Sequence, residues 1–328
     1  MKTLYPLIAL SLLIFSLSAC KKSSDSSSSG SQTQKLISGD FWFNSGLNTL
    51  CPTSDNGFAV ATLYNGHRIY VAKTNSSFDV LWTKMFSFPI TSSIGGMVES
   101  SDKGFVIVTS SYDTTSFPVK YYVDLIKLDQ SGDSTWSHTY TGHSIISGYG
   151  MDVQLTPDNG YIALADKIIL KTDSAGNQQW EAVTDANDVT NIRALPDGSY
   201  VVLGTDVIWP ADTDQKHEYA LMKYDASGNK LWEKVYPGVH NEWSANLCLT
   251  PEGGFIFSGT TEINTDIDVI DIIKTDGNGN KLASKTINLG RIAEPRGLVW
   301  QNGSYVYYGG TTLTNGIDYY LVFLRFNL

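Results

Sequence analysis

The chain is short of nearly everything that marks a catalytic centre in sequence. It has three cysteines and five histidines among 328 residues. It contains no Ser-His-Asp order, no H-E-x-x-H, no glycine-rich phosphate loop and no paired-carboxylate signature. Charged residues make up 17%, below the typical ~25%. The net charge is −10, and such an acidic chain lacks the basic patches that a nucleic-acid partner requires. Helical periodicity is absent from the body. The apolar run Leu4 to Ala19 is too short to span a bilayer, for which about 20 residues are needed.

What is present begins at the N-terminus. Met1-Lys2 supplies a short basic region, the apolar run follows, and "LSAC" ends at Cys20. Leu17, Ser18, Ala19 and Cys20 resemble a bacterial lipobox. The resemblance implies that residues 1–19 are a lipoprotein signal peptide and that Cys20 is lipidated. An uncleaved anchor or a plain secretory signal are the alternatives. Residues 20–34 are Ser-rich with almost nothing apolar to bury, so they read as a flexible tether. Acyl chains on Cys20 would hold the body at a membrane without spanning it. Lys21, in place of Asp, resembles the enterobacterial sorting signal for the outer membrane. Either face of that membrane is compatible with the sequence.

Residues 35–328 carry two repeating landmarks. One is a turn, as in "DNGFAV" at Asp55, "DKGFVIV" at Asp102, "DNGYIAL" at Asp158 and "DGSYVVL" at Asp197, with "EGGFIFSG" at Glu252 and "NGSYVYYGG" at Asn302. These six copies lie 39 to 56 residues apart, a period that signals a repeat architecture. The other places a Trp nine residues after a Lys: Lys73 to Trp82, Lys127 to Trp136, Lys171 to Trp180 and Lys223 to Trp232. In the fifth copy, from Lys274, Ala283 stands there. Short β-rich runs with Asn-Gly and Asp-Gly punctuation read as hairpins.

Four strands per unit and six units predict an all-β fold, a six-bladed β-propeller. The Trp is expected to fill the wide outer gap between blades. Gly and Asn in turns such as "DASGNK" are expected to supply positive φ. "QKLISGDFWF" from Gln34 to Phe43 is similar to "NKLASKTINL" from Asn280. It is expected to complete the last blade and close the ring, which protects strand edges. "DGNGNK" at Asp276 mimics the start of a calcium loop but lacks the Gly and Glu that such a loop needs, so it reads as a turn.

The pattern K-x-D-x-x-G-N-x-x-W resembles repeats of bacterial exported propellers loosely related to pyrroloquinoline-quinone-type repeats, common in Bacteroidetes-like lipoproteins. The likeness covers most of residues 35–328 and implies the fold rather than an activity. The quinoprotein enzymes have eight blades and adjacent cysteines. This chain has neither, so no cofactor is expected. Cys51 and Cys248 sit at equivalent places on non-adjacent blades and are expected to be separate buried thiols.

The loops on one face vary in length, and variable loops on a rigid scaffold are where binding lives. The candidates there are Trp209, Trp243, Tyr149, His143, His240, Glu242, Arg291 and Arg296. Each also has a plain structural reading: solvent-exposed histidines, an aromatic covering a blade edge, a surface ion-pair group. No metal-ligand spacing occurs. The sequence therefore predicts a monomeric, membrane-tethered module that binds a protein or glycan without catalysis. The alternative is a glycan hydrolase or lyase at the channel mouth. An enzyme would bring carboxylates or histidines together; a binder would expose aromatics on one rim with no perturbed ionisable cluster.

Overall fold

The computed structural model describes residues 41–42, 49–64, 68–87, 91–113, 115, 117, 119–140, 150–208, 216–238, 240–264, 267–288, 292–301, 304–312 and 319–326. Every regular element among them is a strand. In the first sheet β1 (Phe41–Trp42) and β2 (Leu50–Pro52) both pair with β3 (Phe58–Tyr64), followed by β4 (Arg68–Thr74) and β5 (Val80–Ser87). The second sheet is β6 to β9 (Thr91–Glu99, Phe105–Asp113, Lys120–Leu128, Ser134–Tyr140). The third is β10 to β13 (Gly150–Leu155, Tyr161–Ala165, Ile168–Thr172, Gln178–Val183). The fourth is β14 to β17 (Asp188–Ala194, Tyr200–Ile208, Lys216–Tyr224, Lys230–Tyr236). The fifth is β18 to β21 (Asn241–Leu249, Phe255–Asn264, Ile267–Thr275, Lys281–Ile287). The last has three described strands, β22 to β24 (Ile292–Gln301, Ser304–Thr312, Tyr319–Phe326).

All pairings are antiparallel, and all but that of β1 with β3 join consecutive strands, as hairpins dictate. The first strands of successive sheets lie side by side, β6 by β10, β10 by β14, β14 by β18 and β18 by β22. That is the arrangement of propeller blades around an axis. Five of these inner strands carry a bulge at the same place, next to Gly96, Asp152, Asn191, Asn246 and Gly297. Apolar clusters bridge neighbouring sheets; one joins Leu203 and Tyr219 of the fourth to Leu247 and Phe257 of the fifth.

The spacing of nine has a geometric origin. Lys and Trp are cross-strand partners in Lys73↔Trp82, Lys127↔Trp136, Lys171↔Trp180 and Lys223↔Trp232, with a bulge directly after each Lys. Lys274↔Ala283 keeps the register without the ring. Each Trp packs against the turn glycine of the following sheet: Trp82 on Gly132, Trp136 on Gly176, Trp180 on Gly228 and Trp232 on Gly279. The indole N–H of Trp82 donates to Gln130 O at 3.1 Å, and that of Trp180 to Ala226 O at 3.1 Å. The expected wedge is therefore where the sequence places it.

The Lys has its own task. Lys127 Nζ meets Asp102 of the D-x-G turn at 2.8 Å and donates to Leu128 O at 2.9 Å. Lys73 pairs with Asp55 at 2.9 Å and Lys171 with Asp158 at 2.8 Å in the same way. The two landmarks of the repeat are thus one ion pair. Gly104 must be glycine because a Cβ there would overlap the Leu128 backbone carbonyl oxygen as well as meet Lys127 Nζ at 2.5 Å.

Three expectations change. Gly228 adopts φ of +84°, but Asn229 is absent from the positive-φ residues; its amide instead donates to Asp225 Oδ2 at 2.9 Å. Phe41 and Trp42 pair with Tyr64 and Leu63 of β3, in the first sheet rather than the last. β2 covers only Phe58 to Val60, which leaves the far end of β3 with backbone groups to satisfy. The rest of the expected closing segment lies outside the described residues. Cys51 is buried, and burial pushes its thiol up to about 12, while Cys248 is half-buried; neither is in a disulfide. Asp276 caps its turn, accepting from Asn278 N and Asn280 N at 2.8 Å each, as a hairpin turn requires.

Candidate functional site

The variable loops connect the outer strand of one sheet to the inner strand of the next. At the link from the fourth sheet to the fifth, β16 and β18 bring together groups that lie 24 residues apart in sequence. Glu218 on β16 is fully buried and Glu242 on β18 is 2% exposed. Burial drives the Glu242 carboxyl up, and its hydrogen bond to Glu218 and the like charge there add to this, giving a pKa of about 9. Burial and the neighbouring Glu218 thus favour the neutral form of Glu242.

The partners of Glu218 fit that assignment. Lys216 Nζ lies 3.1 Å from Glu218 Oε1, and Gly238 N–H donates to Glu218 Oε2 at 2.7 Å. Lys216 also donates to Gly238 O. Glu218 Oε1 and Glu242 Oε2 are buried without a hydrogen bond, and Lys216 meets the first only as an ion pair. Glu242 also packs so tightly against Gly238 that a Cβ there would overlap its carboxyl. The connecting segment is thus pinned onto the acid pair.

The rim beside the pair is aromatic. Trp243 is 42% exposed. Its ring stacks on His217, centroids 4.1 Å apart at an interplanar angle of 30°. The His217 N–H donates to Asn241 Oδ1 at 3.2 Å, which fixes the strand that carries the histidine. Deeper in, Tyr219 donates to Thr260 O at 3.1 Å, and Asp271 accepts from Thr261 at 2.6 Å and Thr286 at 2.5 Å.

Of the residues singled out from sequence, the structure gathers Glu242 and Trp243 into one site, with His240 half-buried just before β18. Tyr149, His143, Trp209 and Arg291 lie outside the described residues, and Arg296 is placed only by its backbone in β22. Sequence reasoning missed Lys216, His217 and Glu218. Their signal was an alternation of charged and aromatic residues at the entry to a strand, which also fits a solvated loop end. Among the described residues no group of three or more His, Cys, Asp or Glu is placed to hold a metal ion. The site joins both marks that were to separate the two functions: an exposed aromatic and a perturbed ionisable pair.

No protein-family model matches the sequence, and no curated protein matches it. In fold the chain is similar to β-propeller-like solved structures. One is a candidate 6-phosphogluconolactonase from Bacteroides uniformis, with TM-score 0.53 and 12% identity over 89% of each chain. Another is a protein of unknown function from Bacteroides caccae, with TM-score 0.51 and 9% identity over 73% of this chain and 81% of that one. A variant of the apocarotenoid oxygenase from Synechocystis has TM-score 0.51 and 11% identity over 85% and 68%. Identities this low make the likeness one of fold, and these folds carry unrelated activities.

Proposed function

We propose that the chain is a lipid-anchored protein of a bacterial envelope whose loop face binds a glycan or protein partner. Cys20 is the anchor, residues 20–34 the tether, and residues 35–328 a six-bladed propeller whose last blade is completed by residues 34–40. An outer-membrane address follows from Lys21. The observation that carries the binding reading is Trp243, a large aromatic left 42% exposed on an inner strand and held flat by His217. A rigid exposed indole beside polar groups is suited to stack on a sugar face or grip an apolar side chain. In the test, the mature chain and Trp243→Ala are screened by thermal shift against oligosaccharides and envelope extracts. A ligand at ~100 times its Kd adds about 2.7 kcal/mol. The parent should shift and the variant should not; equal shifts in both would exclude the rim. Cys20→Ser should move the protein from the membrane to the soluble fraction, and retention there would refute the anchor.

A second reading is an enzyme acting on a sugar-derived substrate at the channel mouth, and Glu242 favours it. A carboxyl held neutral at physiological pH is a proton donor in waiting. The pair is hydrogen-bonded, closer than the ~5 Å or ~6.5–9.5 Å separations used in glycoside hydrolysis. The chemistry supported is therefore proton donation by Glu242 alone, not a two-carboxylate displacement. The candidate 6-phosphogluconolactonase among the fold relatives is compatible with a sugar-derived substrate.

A further inference from the structure

A cleft of about 450 Å³ opens between the fourth and fifth sheets, within the size range of small-molecule sites. Its walls are the outer strands β17, with Lys234 and Tyr236, and β21, with Lys281 and Ser284. Its inner end reaches Glu242 and Asp271. Trp243 does not line it.

Most polar groups in the cleft are already paired. Tyr236 donates to Gly279 O at 2.7 Å. Both oxygens of Asp271 accept from threonine hydroxyls. Asn280 is bound to Asp276, and Glu242 to Glu218. The Lys234 and Lys281 ammoniums and the Ser284 hydroxyl have no hydrogen bond or ion pair among the described residues. Lys234 feels the charge of Asp276, but the turn occupies that carboxylate with Asn278 N, Asn280 N and Asn280 Nδ2. The two ammoniums, one on each wall, are donors only, and Ser284 adds a hydroxyl that can donate or accept. At the inner end burial disfavours charge on Glu242, and the Asp271 carboxylate is occupied by two threonine hydroxyls. Val235, Pro237 and Ile273 add apolar surface between the polar groups.

We propose that this cleft binds a small organic anion, a carboxylate or phosphate on a polyhydroxylated body, with Lys234 and Lys281 on the anionic group and Ser284 on the body. Charge-assisted donors from two sides hold an acceptor-rich group, and the mixed walls suit a ring with polar and apolar faces. The inference does not rest on the rim reading, because the cleft and Trp243 are lined separately.

The test is calorimetric titration of the mature chain, at fixed ionic strength, with glucuronate, glucose 1-phosphate and uncharged glucose. At least one anion should bind and glucose should not; which anion binds distinguishes carboxylate from phosphate. The Lys234→Gln/Lys281→Gln double variant should lose about tenfold or more in affinity. Lys234→Arg/Lys281→Arg should retain it, which separates lost charge from lost folding. Trp243→Ala should bind as the parent does. Absence of binding of both anions at about 10 mM, equal binding of glucose, or an unaffected lysine double variant overturns the proposal. Binding lost in Trp243→Ala but kept in the lysine variant would move the ligand to the rim, ending this inference and leaving the rim reading in place.

Discussion

A lysine ammonium is costly to bury, yet Lys73, Lys127 and Lys171 are only 6%, 4% and 3% exposed. Each survives because an aspartate and a backbone carbonyl meet it in fixed geometry. For Asp102, burial alone would raise the pKa. Hydrogen bonds from Lys127, Ser100 and Gly104 N–H outweigh it and hold the carboxyl at about 2. The acid pair at the site runs the other way. Glu242 has a pKa of about 9 in the fold against 4.5 ordinarily, so the folded state keeps a proton that the unfolded chain releases. Its contribution to stability is complete below about pH 4.5 and is lost as the pH climbs to about 9. Glu242→Gln keeps a donor to Glu218 and cannot ionise. Between pH 5 and 9 the thermal midpoint of the parent should therefore fall more steeply than that of the variant. Parallel slopes would mean that the proton is not held there.

At the scale of strands and turns, the unit of construction is a wedge and its seat. The Trp of one sheet fits the turn of the next, and its place could be read from sequence because the Lys-to-Trp pairing is local to a single hairpin. Asn229 was misread because sequence shows which residues tolerate positive φ, not which of two neighbours adopts it. Gly228 and Gly253 have φ of +84° and +83°, but a Cβ at Gly228 would lie 2.7 Å from Trp180, whereas one at Gly253 meets nothing within 4 Å. Gly253→Ala should then cost only the left-handed strain of an L-residue, roughly 1–2 kcal/mol. Gly228→Ala should cost that and about 1–3 kcal/mol more from overpacking against the indole. Chemical denaturation of both variants measures the difference; equal losses would show that the Trp does not depend on its seat.

Over the whole molecule, the acid pair could not have been found in sequence. Glu218 and Glu242 belong to different sheets, and only the packing of β16 against β18 joins them. Glu242 and Trp243 were visible as loop-face residues; their partners were not, because nothing local points from one sheet to the next. Closure of the ring belongs to this scale as well. Among the described residues β24, "YYLVFLRF", is an apolar edge of the sixth sheet, the kind that invites pairing between chains. Deleting residues 34–40, which leaves β1 in the first sheet, should lower the melting midpoint and cause self-association that grows with concentration. A truncated chain that melts and sediments like the parent would rule out closure by this segment.

The wedges have a last consequence. Each Trp finds its seat in the following sheet, so no blade is complete alone and stability is a property of adjacent pairs. Such a chain should behave as a row of coupled neighbours. Four of the junctions carry a Trp, and these junctions are nearly interchangeable: a blade duplicated or lost among them would still find a matching neighbour. The junction after the fifth sheet is different. Ala283 stands where the wedge would be, and the Lys274 ammonium sits 5.9 Å from the Tyr305 ring centroid. That seam gives the row a direction and marks one place where the blades cannot be exchanged.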